Sequence, residues 1–234
     1  MLLFYLRHGH PTYNPDELTP LGHRQAEALA KRLALYGIDE VYASSSKRAV
    51  QTAQPTCEIL RKEPTILDWC NEYHAWLQLT VGDENCKRWL FQDKEIIELF
   101  ASDEIKALGD DWYKHPRFAG MPTEAGIERI RVNTEEFIRS LGYERCGNAY
   151  KAVKPNNRRI ALFAHQGFGL AFLSALLGIP YPIVCTRFDM SYTGMTVIQF
   201  EGNGLVIPKV LQLSNDSHLY RDGLPTDYNN EIKF

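Results

Sequence analysis

The chain lacks any pair of cysteines at metal-ligand spacing. Its five, Cys57, Cys70, Cys86, Cys146 and Cys185, are odd in number, widely separated and without a CxxC. This argues against a disulfide framework and against a zinc site, and it fits reduced thiols in a cytoplasm. Charge imbalance is also missing: 26 Lys and Arg oppose 29 Asp and Glu, for a net charge of −3. A nucleic-acid-coating surface is therefore not expected, and any anion site must arise from local placement of cations. No stretch is apolar for long enough to cross a membrane. The longest, Ile160 to Cys185, is interrupted by His165, Gln166, Gly167, Gly169, Gly178 and Pro180, whereas a spanning helix needs about 20 apolar residues. The N-terminal apolar run has no basic segment before it and stops at Arg7, so export is not expected. Repeats, low-complexity tracts and dividing linkers are likewise missing. With 234 residues, 44% of them apolar, the expectation is one domain with a substantial core, of open oligomeric state.

What is present alternates between strand and helix. Leu2 to Leu6 is a short apolar run that ends in Arg7-His8-Gly9, as a strand buried on both faces does when it delivers polar groups to its carboxyl end. Thr19-Pro20 supplies a cap and a first-turn proline for a helix whose Ala26, Leu29, Ala30, Leu33 and Tyr36 share one face, with Gly37 to end it. Val41-Tyr42-Ala43 reads as a strand, Ser44-Ser45-Ser46 as the entry to a helix through about Lys62, and Ile66-Leu67 as a third short strand. The alternation then breaks. Residues 73–122 hold Trp76, Trp89 and Trp112 and one helical pattern, Ile97, Phe100, Glu104, Ile105 and Leu108. They are read as a helical insertion over the sheet's C-terminal edge. Thr123 is expected to cap a helix closed by Gly142. Residues 143–158 read as a polar surface loop or hairpin. Arg159 to Gly167 repeats the opening design, an apolar run ending in His165-Gln166-Gly167 before a helix from about Phe168. Gly194 to Phe200 and Leu205 to Leu213 read as two final strands, and the tail from Ser214 as polar surface chain.

In an α/β sheet of mainly parallel strands, the ends carrying Arg7-His8, Arg48, Glu72 and His165 meet on one rim. Two arginines and two imidazoles there form a cationic pocket, and the planar guanidinium fork matches phosphoryl oxygens. A phosphate ester is the natural guest.

Leu6-Arg7-His8-Gly9 with Asn14, Ser44 with Arg48-Ala49-Val50-Gln51-Thr52-Ala53, Asn71-Glu72-Tyr73-His74, and Ala164-His165-Gln166-Gly167 together resemble the histidine phosphatase superfamily. The resemblance spans most of the chain outside residues 73–122. It implies a phosphoglycerate-mutase-like fold: a three-layer α/β/α sandwich with a mainly parallel central sheet, forming one domain over residues 1–234 with a helical cap at about 73–122. It further implies that His8 accepts a phosphoryl group. Arg7, Arg48 and His165 would stabilise that group, His165 most usefully when protonated, and Asn14 and Gln166 would add phosphate ligands. Glu72 would donate and retrieve the proton, and no metal or other cofactor would be required. Three departures border the expected pocket: His10, Gln166 and the Ser45-Ser46 pair stand where the family commonly has other residues.

The implied activity is hydrolysis of a small phosphomonoester, with phosphoglycerate-mutase-type transfer as the alternative and a silent phospho-ligand binder as a third reading. A mutase needs cations for a second anionic group. Residues 73–122 hold nine acids against six Lys and Arg, which modestly favours the phosphatase, although Arg88 and Arg117 are candidates for that second cation.

Overall fold

The structure, a computed structural model, describes residues 1–83 and 86–228. Its centre is β1 (Leu2–Arg7). Leu3 and Tyr5 point into one apolar cluster while Phe4 and Leu6 point into another, the period-2 alternation of a strand covered on both faces. Burying such side chains contributes about 1.5–3 kcal/mol each, so a one-residue slip of β1 would exchange its partners in both clusters.

A two-residue hairpin follows, β2 (Pro11–Tyr13) and β3 (Asp16–Leu18), and leads into α1 (Pro20–Tyr36). As expected, the Thr19 side chain caps this helix by accepting from the Gly22 amide, and Gly37 ends it in the left-handed conformation, its N–H donating to Leu33. Then come β4 (Glu40–Ser44), α2 (Lys47–Leu60) and β5 (Thr65–Leu67). The stretch that breaks the alternation contains α3 (Glu72–Gln78), a small ladder of β6 (Thr80–Val81) with β7 (Arg88–Trp89), α4 (Lys94–Phe100) and α5 (Asp103–Leu108). The single helical pattern expected at 97–108 is two helices, because the Ser102 side chain caps α5 by accepting from the Ile105 amide. After α6 (Thr123–Ser140) come β8 (Tyr143–Cys146), β9 (Ala149–Ala152), β10 (Arg159–Ala164), α7 (Gln166–Leu177) and α8 (Tyr181–Arg187). The chain closes with β11 (Met195–Gln199), β12 (Leu205–Val206), β13 (Lys209–Asn215) and α9 (Ser217–Arg221).

The main sheet has the order β13-β11-β1-β10-β4-β5. β1 pairs parallel with β10, β10 with β4 and β4 with β5, while β11 is antiparallel to both β1 and β13. Only β11 therefore runs against the others, and the carboxyl ends of β1, β4 and β10 share one rim. α1 and α2 contribute Leu29, Leu33, Ala53 and Cys57 to one cluster; α6 and α7 contribute Ile130, Ile138, Phe168 and Phe172 to the cluster on the opposite face.

Four expectations need correction. Residues 143–152 form a β8–β9 hairpin that is not merely superficial: Tyr143 and Tyr150 are buried, and β12 adds a third strand to it. The expected strand 205–213 is split at Ile207-Pro208, since proline cannot donate to a ladder; β12 joins β9, and β13 joins β11. Thr123 is the first helical residue of α6, without a side-chain capping bond. The tail does not wander: His218, Leu219 and Leu224 are buried, and Leu219 and Leu224 pack with Ala28 of α1. The last part of that tail, residues 229–234, lies outside the described residues. No helix among the described residues is long and apolar enough to cross a membrane.

Candidate active site

Gly9 follows His8 where the end of β1 meets the start of α1, and a Cβ there would lie 2.7 Å from the Gly22 carbonyl oxygen. Only glycine permits that approach. Its amide donates to Thr52 Oγ1 at 3.0 Å, and Thr52 in turn donates to the Arg48 carbonyl at 2.7 Å. The loop carrying His8 is thus tied to the helix carrying Arg48. A second tie joins β1 to the end of β10: the Tyr5 hydroxyl donates to the His165 carbonyl at 2.6 Å and receives the His165 amide at 3.2 Å.

These ties bring His8 and His165 to a ring-centroid separation of 5.2 Å. Both are buried, at 2% and 0% exposure. His8 Nδ1 lies 2.8 Å from the Gly9 carbonyl. Because a carbonyl can only accept, Nδ1 holds the proton of the neutral ring and Nε2 keeps its lone pair. Burial first, then the Arg48 and Arg7 guanidiniums, push the His8 pKa well below its usual value. The ring is therefore neutral, with an unprotonated Nε2, in the field of two cations.

His165 is expected to be most useful when protonated, a form that its surroundings oppose. Burial, followed by Arg48, His8 and Arg7, also pushes its pKa well down, so these surroundings favour the neutral ring. Its Nε2 is 2.7 Å from Ser44 Oγ, and its Nδ1 is 3.1 Å from Arg48 Nη2 and 3.2 Å from Glu72 Oε2. The contact with Glu72 is attractive only when one partner carries the proton between them, as a carboxylic acid or as a ring protonated on Nδ1. Glu72 Oε1 accepts from the Phe168 amide at 3.0 Å, at the start of α7. The carboxyl group is thereby held in place, and the orphan amides of that helix favour negative charge beside them.

Arg7 is fully buried, donates from Nη1 to the Met190 carbonyl and lies 3.8 Å from the centroid of the Tyr192 ring. Arg48 Nη1 pairs with Asp16 Oδ1 at 2.5 Å. Gln166 is buried, its amide nitrogen donates to Asp189, and its Oε1 has no hydrogen-bond partner.

Arg7, His8, Arg48, Glu72 and Gln166 line one cavity of about 950 Å³, with His165 buried directly behind them. Asn14 does not join them. It sits exposed at the tip of the β2–β3 hairpin, a position dictated by the two-residue turn, and the flanking Tyr13 and Asp16 line the cavity instead. His10 and His74 do not line it either; they bond to Thr19 and Asp68. The candidate second cations also lie elsewhere, Arg88 pairing with Asp93 at 2.5 Å and Arg117 lying 3.9 Å from Glu95. Of the three tryptophans at 73–122, Trp76 and Trp89 line the cavity, while Trp112 is core. Tyr13, Asp16, Tyr73, Gln92, Tyr192 and Tyr228 also line it without having been expected there. Tyr73 alone had a sequence signal, its place directly after Glu72.

The nearest metal-ligand constellation among the described residues is His8, Glu72 and His165, whose donor atoms lie within 4.8 Å of one another. Two imidazoles and a carboxylate are a known donor set. Here, however, Arg48 Nη2 already approaches the His165 nitrogen that faces Glu72, and Arg7 lines the same cavity. Fixed guanidinium charge opposes a divalent cation and suits an oxyanion.

The family model described as histidine phosphatase superfamily (branch 1) matches residues 3–94, the span that contains β1, the β2–β3 hairpin, Arg48 and Glu72. A Hydrogenobacter thermophilus protein provisionally named phosphoserine phosphatase 2 is 24% identical over 210 residues, covering 86% of this chain and 90% of its own length. Two solved structures share the fold. A mutant of phosphoserine phosphatase from Entamoeba histolytica in complex with phosphoserine aligns with a TM-score of 0.61 at 18% identity, over 93% of this chain and 98% of its own. Mycobacterial glucosyl-3-phosphoglycerate phosphatase aligns with a TM-score of 0.58 at 21% identity, over 91% and 98%. Both histidines, both arginines and the glutamate are gathered on one sheet rim, and residues 3–94, which carry Arg7, His8, Arg48 and Glu72, match the histidine phosphatase superfamily (branch 1).

Proposed function

We propose that the protein is a phosphomonoester phosphatase that works through a phosphohistidine at His8. The observation that carries this reading is the His8 ring itself, buried and neutral, its Nδ1 proton held by Gly9 and its Nε2 left for the cavity between two arginines. Nε2 attacks phosphorus while the bond to the ester oxygen breaks. Arg7, Arg48 and His165 compensate the charge on the three equatorial oxygens. Glu72 gives its proton to the departing oxygen, then takes one from the water that attacks phosphohistidine, releasing inorganic phosphate and restoring both groups. An arriving phosphate dianion raises the His165 pKa, so this ring gains its proton as substrate binds. The mechanism uses no metal or cofactor.

Phosphatases of small phosphorylated metabolites among the relatives support a substrate of that class. The mutase alternative is weakened by the second anion it must hold: Arg7 and Arg48 are the only Lys or Arg among the described residues lining the cavity, and both belong to the phosphoryl site. Residues 73–122 act in this proposal as the substrate cap of a single domain. Five free thiols, those of Cys86 and Cys146 exposed, support a reducing cytoplasm.

The test is a rapid-mix assay with an aryl phosphate. The proposal requires release of the aryl alcohol that His8→Ala abolishes, and inorganic phosphate as the end product by phosphorus NMR. Isomerised phosphoester formed faster than free phosphate would establish the mutase instead, and full activity in His8→Ala would refute both.

A further inference from the structure

The phosphoryl site occupies only the floor of its cavity, and the remaining wall has a definite chemistry. Trp89 lies beside Glu72, the proposed proton donor to the leaving oxygen. A Cβ on Gly167 would be 2.6 Å from both Glu72 Oε1 and the Trp89 ring, so the carboxyl group and the indole sit side by side on the start of α7. Trp89 is held by stacking on Phe91 at 5.6 Å and by an edge contact with Trp76 at 5.1 Å. Tyr73 follows Glu72 on α3, and Trp76 is one turn further along, which places these side chains together at the same end of the cavity. Tyr228 and Tyr13 line it as well.

The same wall is poor in positive charge. Its described basic residues, Arg7 and Arg48, are committed to the phosphoryl end, while Asp16 and Glu72 contribute carboxyl groups. Lys87 lies 5.8 Å from the Trp76 ring without lining the cavity. A volume of about 950 Å³ far exceeds what a phosphoryl group fills and matches a drug-sized ligand.

We infer that the substrate is a phosphomonoester whose alcohol carries a planar ring and no second anionic group. This inference rests on the phosphatase reading and narrows it. The ring packs against Trp76, Trp89 and Tyr73, and the leaving oxygen faces Glu72. A carboxylate at the same distance from phosphorus meets aromatic faces and the Glu72 carboxyl group instead of a cation.

Benzyl, 4-carboxybenzyl and ethyl phosphates test this directly, because their leaving alkoxides are of similar basicity and differ chiefly in ring and charge. Expected is a kcat/KM for benzyl phosphate about tenfold above ethyl phosphate, the scale of one or two ring contacts, with 4-carboxybenzyl phosphate and phosphoserine both below benzyl phosphate. Trp76→Ala, and separately the surface substitution Tyr73→Ala, should each lower the benzyl-to-ethyl ratio by about fivefold, whatever happens to absolute rates. A preference for phosphoserine or the carboxylated ester, or a ratio unmoved by both substitutions, would overturn the inference. Binding of benzylphosphonate, methylphosphonate and phosphonoacetate, followed by tryptophan fluorescence, reads the same preference without turnover. Tightest binding of benzylphosphonate by a protein that hydrolyses none of the esters would refute the phosphatase reading while supporting the ring-bearing ligand; tightest binding of phosphonoacetate would refute the inference itself.

Discussion

Lowering the pH from 7 to 5 should destabilise the fold steeply, through three histidines buried in neutral form. His8 and His165 are pushed well below the ordinary imidazole pKa chiefly by burial, with the arginines adding to it, and burial with Arg32 pushes His218 to about 4. In the unfolded chain each titrates near about 6.5. As pH falls through that value the unfolded state takes up protons that the native state refuses, so stability is lost as the solution becomes more acidic. A histidine that remains neutral costs about 2 kcal/mol at pH 5 relative to pH 7, or about 6 kcal/mol for the three. That is a large part of the roughly 5–15 kcal/mol that stabilises a typical domain. Asp68 and Asp93, whose pKa values are lowered, act in the same direction but only near and below the carboxylate range, so the window from pH 5 to 7 isolates the imidazoles. Urea unfolding across this window should show a slope near pH 5 of about three protons, or about 4 kcal/mol per pH unit. His218→Gln should remove about one of them. A stability that stays flat to pH 5, or a slope below about one proton, would refute the assignment of buried neutral rings.

Asp16→Asn removes the carboxylate that competes with phosphate for Arg48. For a partly exposed pair worth up to about 1 kcal/mol, inhibition by inorganic phosphate should tighten by about fivefold, measured as a competitive inhibition constant; weaker inhibition would count against a phosphate-binding Arg48. Gly167→Ala drives a methyl group against Glu72 and Trp89. Moving the proposed proton donor by about 1 Å should lower kcat by about 100-fold, and an unchanged steady-state rate would show that Glu72 is not held there for chemistry.

The elements legible in the sequence are those whose signals are local. Thr19-Pro20 and Gly37 mark both ends of α1, and the paired designs ending in His8 and His165 identify the two adjacent central strands. Ser102 shows why the rest was harder: its capping role splits a pattern that periodicity reads as continuous. Pro208 similarly sends two halves of one apparent strand to different sheets. Around the site, spacing found the groups attached directly to strand and helix ends, but it misplaced Asn14, which a two-residue turn directs outward. Tyr192 and Tyr228 could not be found this way, because each reaches the cavity through contacts far away in sequence. The Tyr192 amide donates to the Asp227 carbonyl at 2.9 Å, and its ring stacks on Arg7. His165 carries a further lesson: residue type points to a ring most useful as a cation, whereas its burial beside Arg48 and His8 makes the neutral ring the resting form.

The central claim is that His8 and not His165 bears the phosphoryl group. Turnover of labelled substrate, quenched in alkali to preserve phosphohistidine and mapped by peptide mass spectrometry, tests it most directly. The label should appear on the peptide containing His8, persist in His165→Ala and vanish in His8→Ala. Label on the His165 peptide, or undiminished in His8→Ala, would contradict the account.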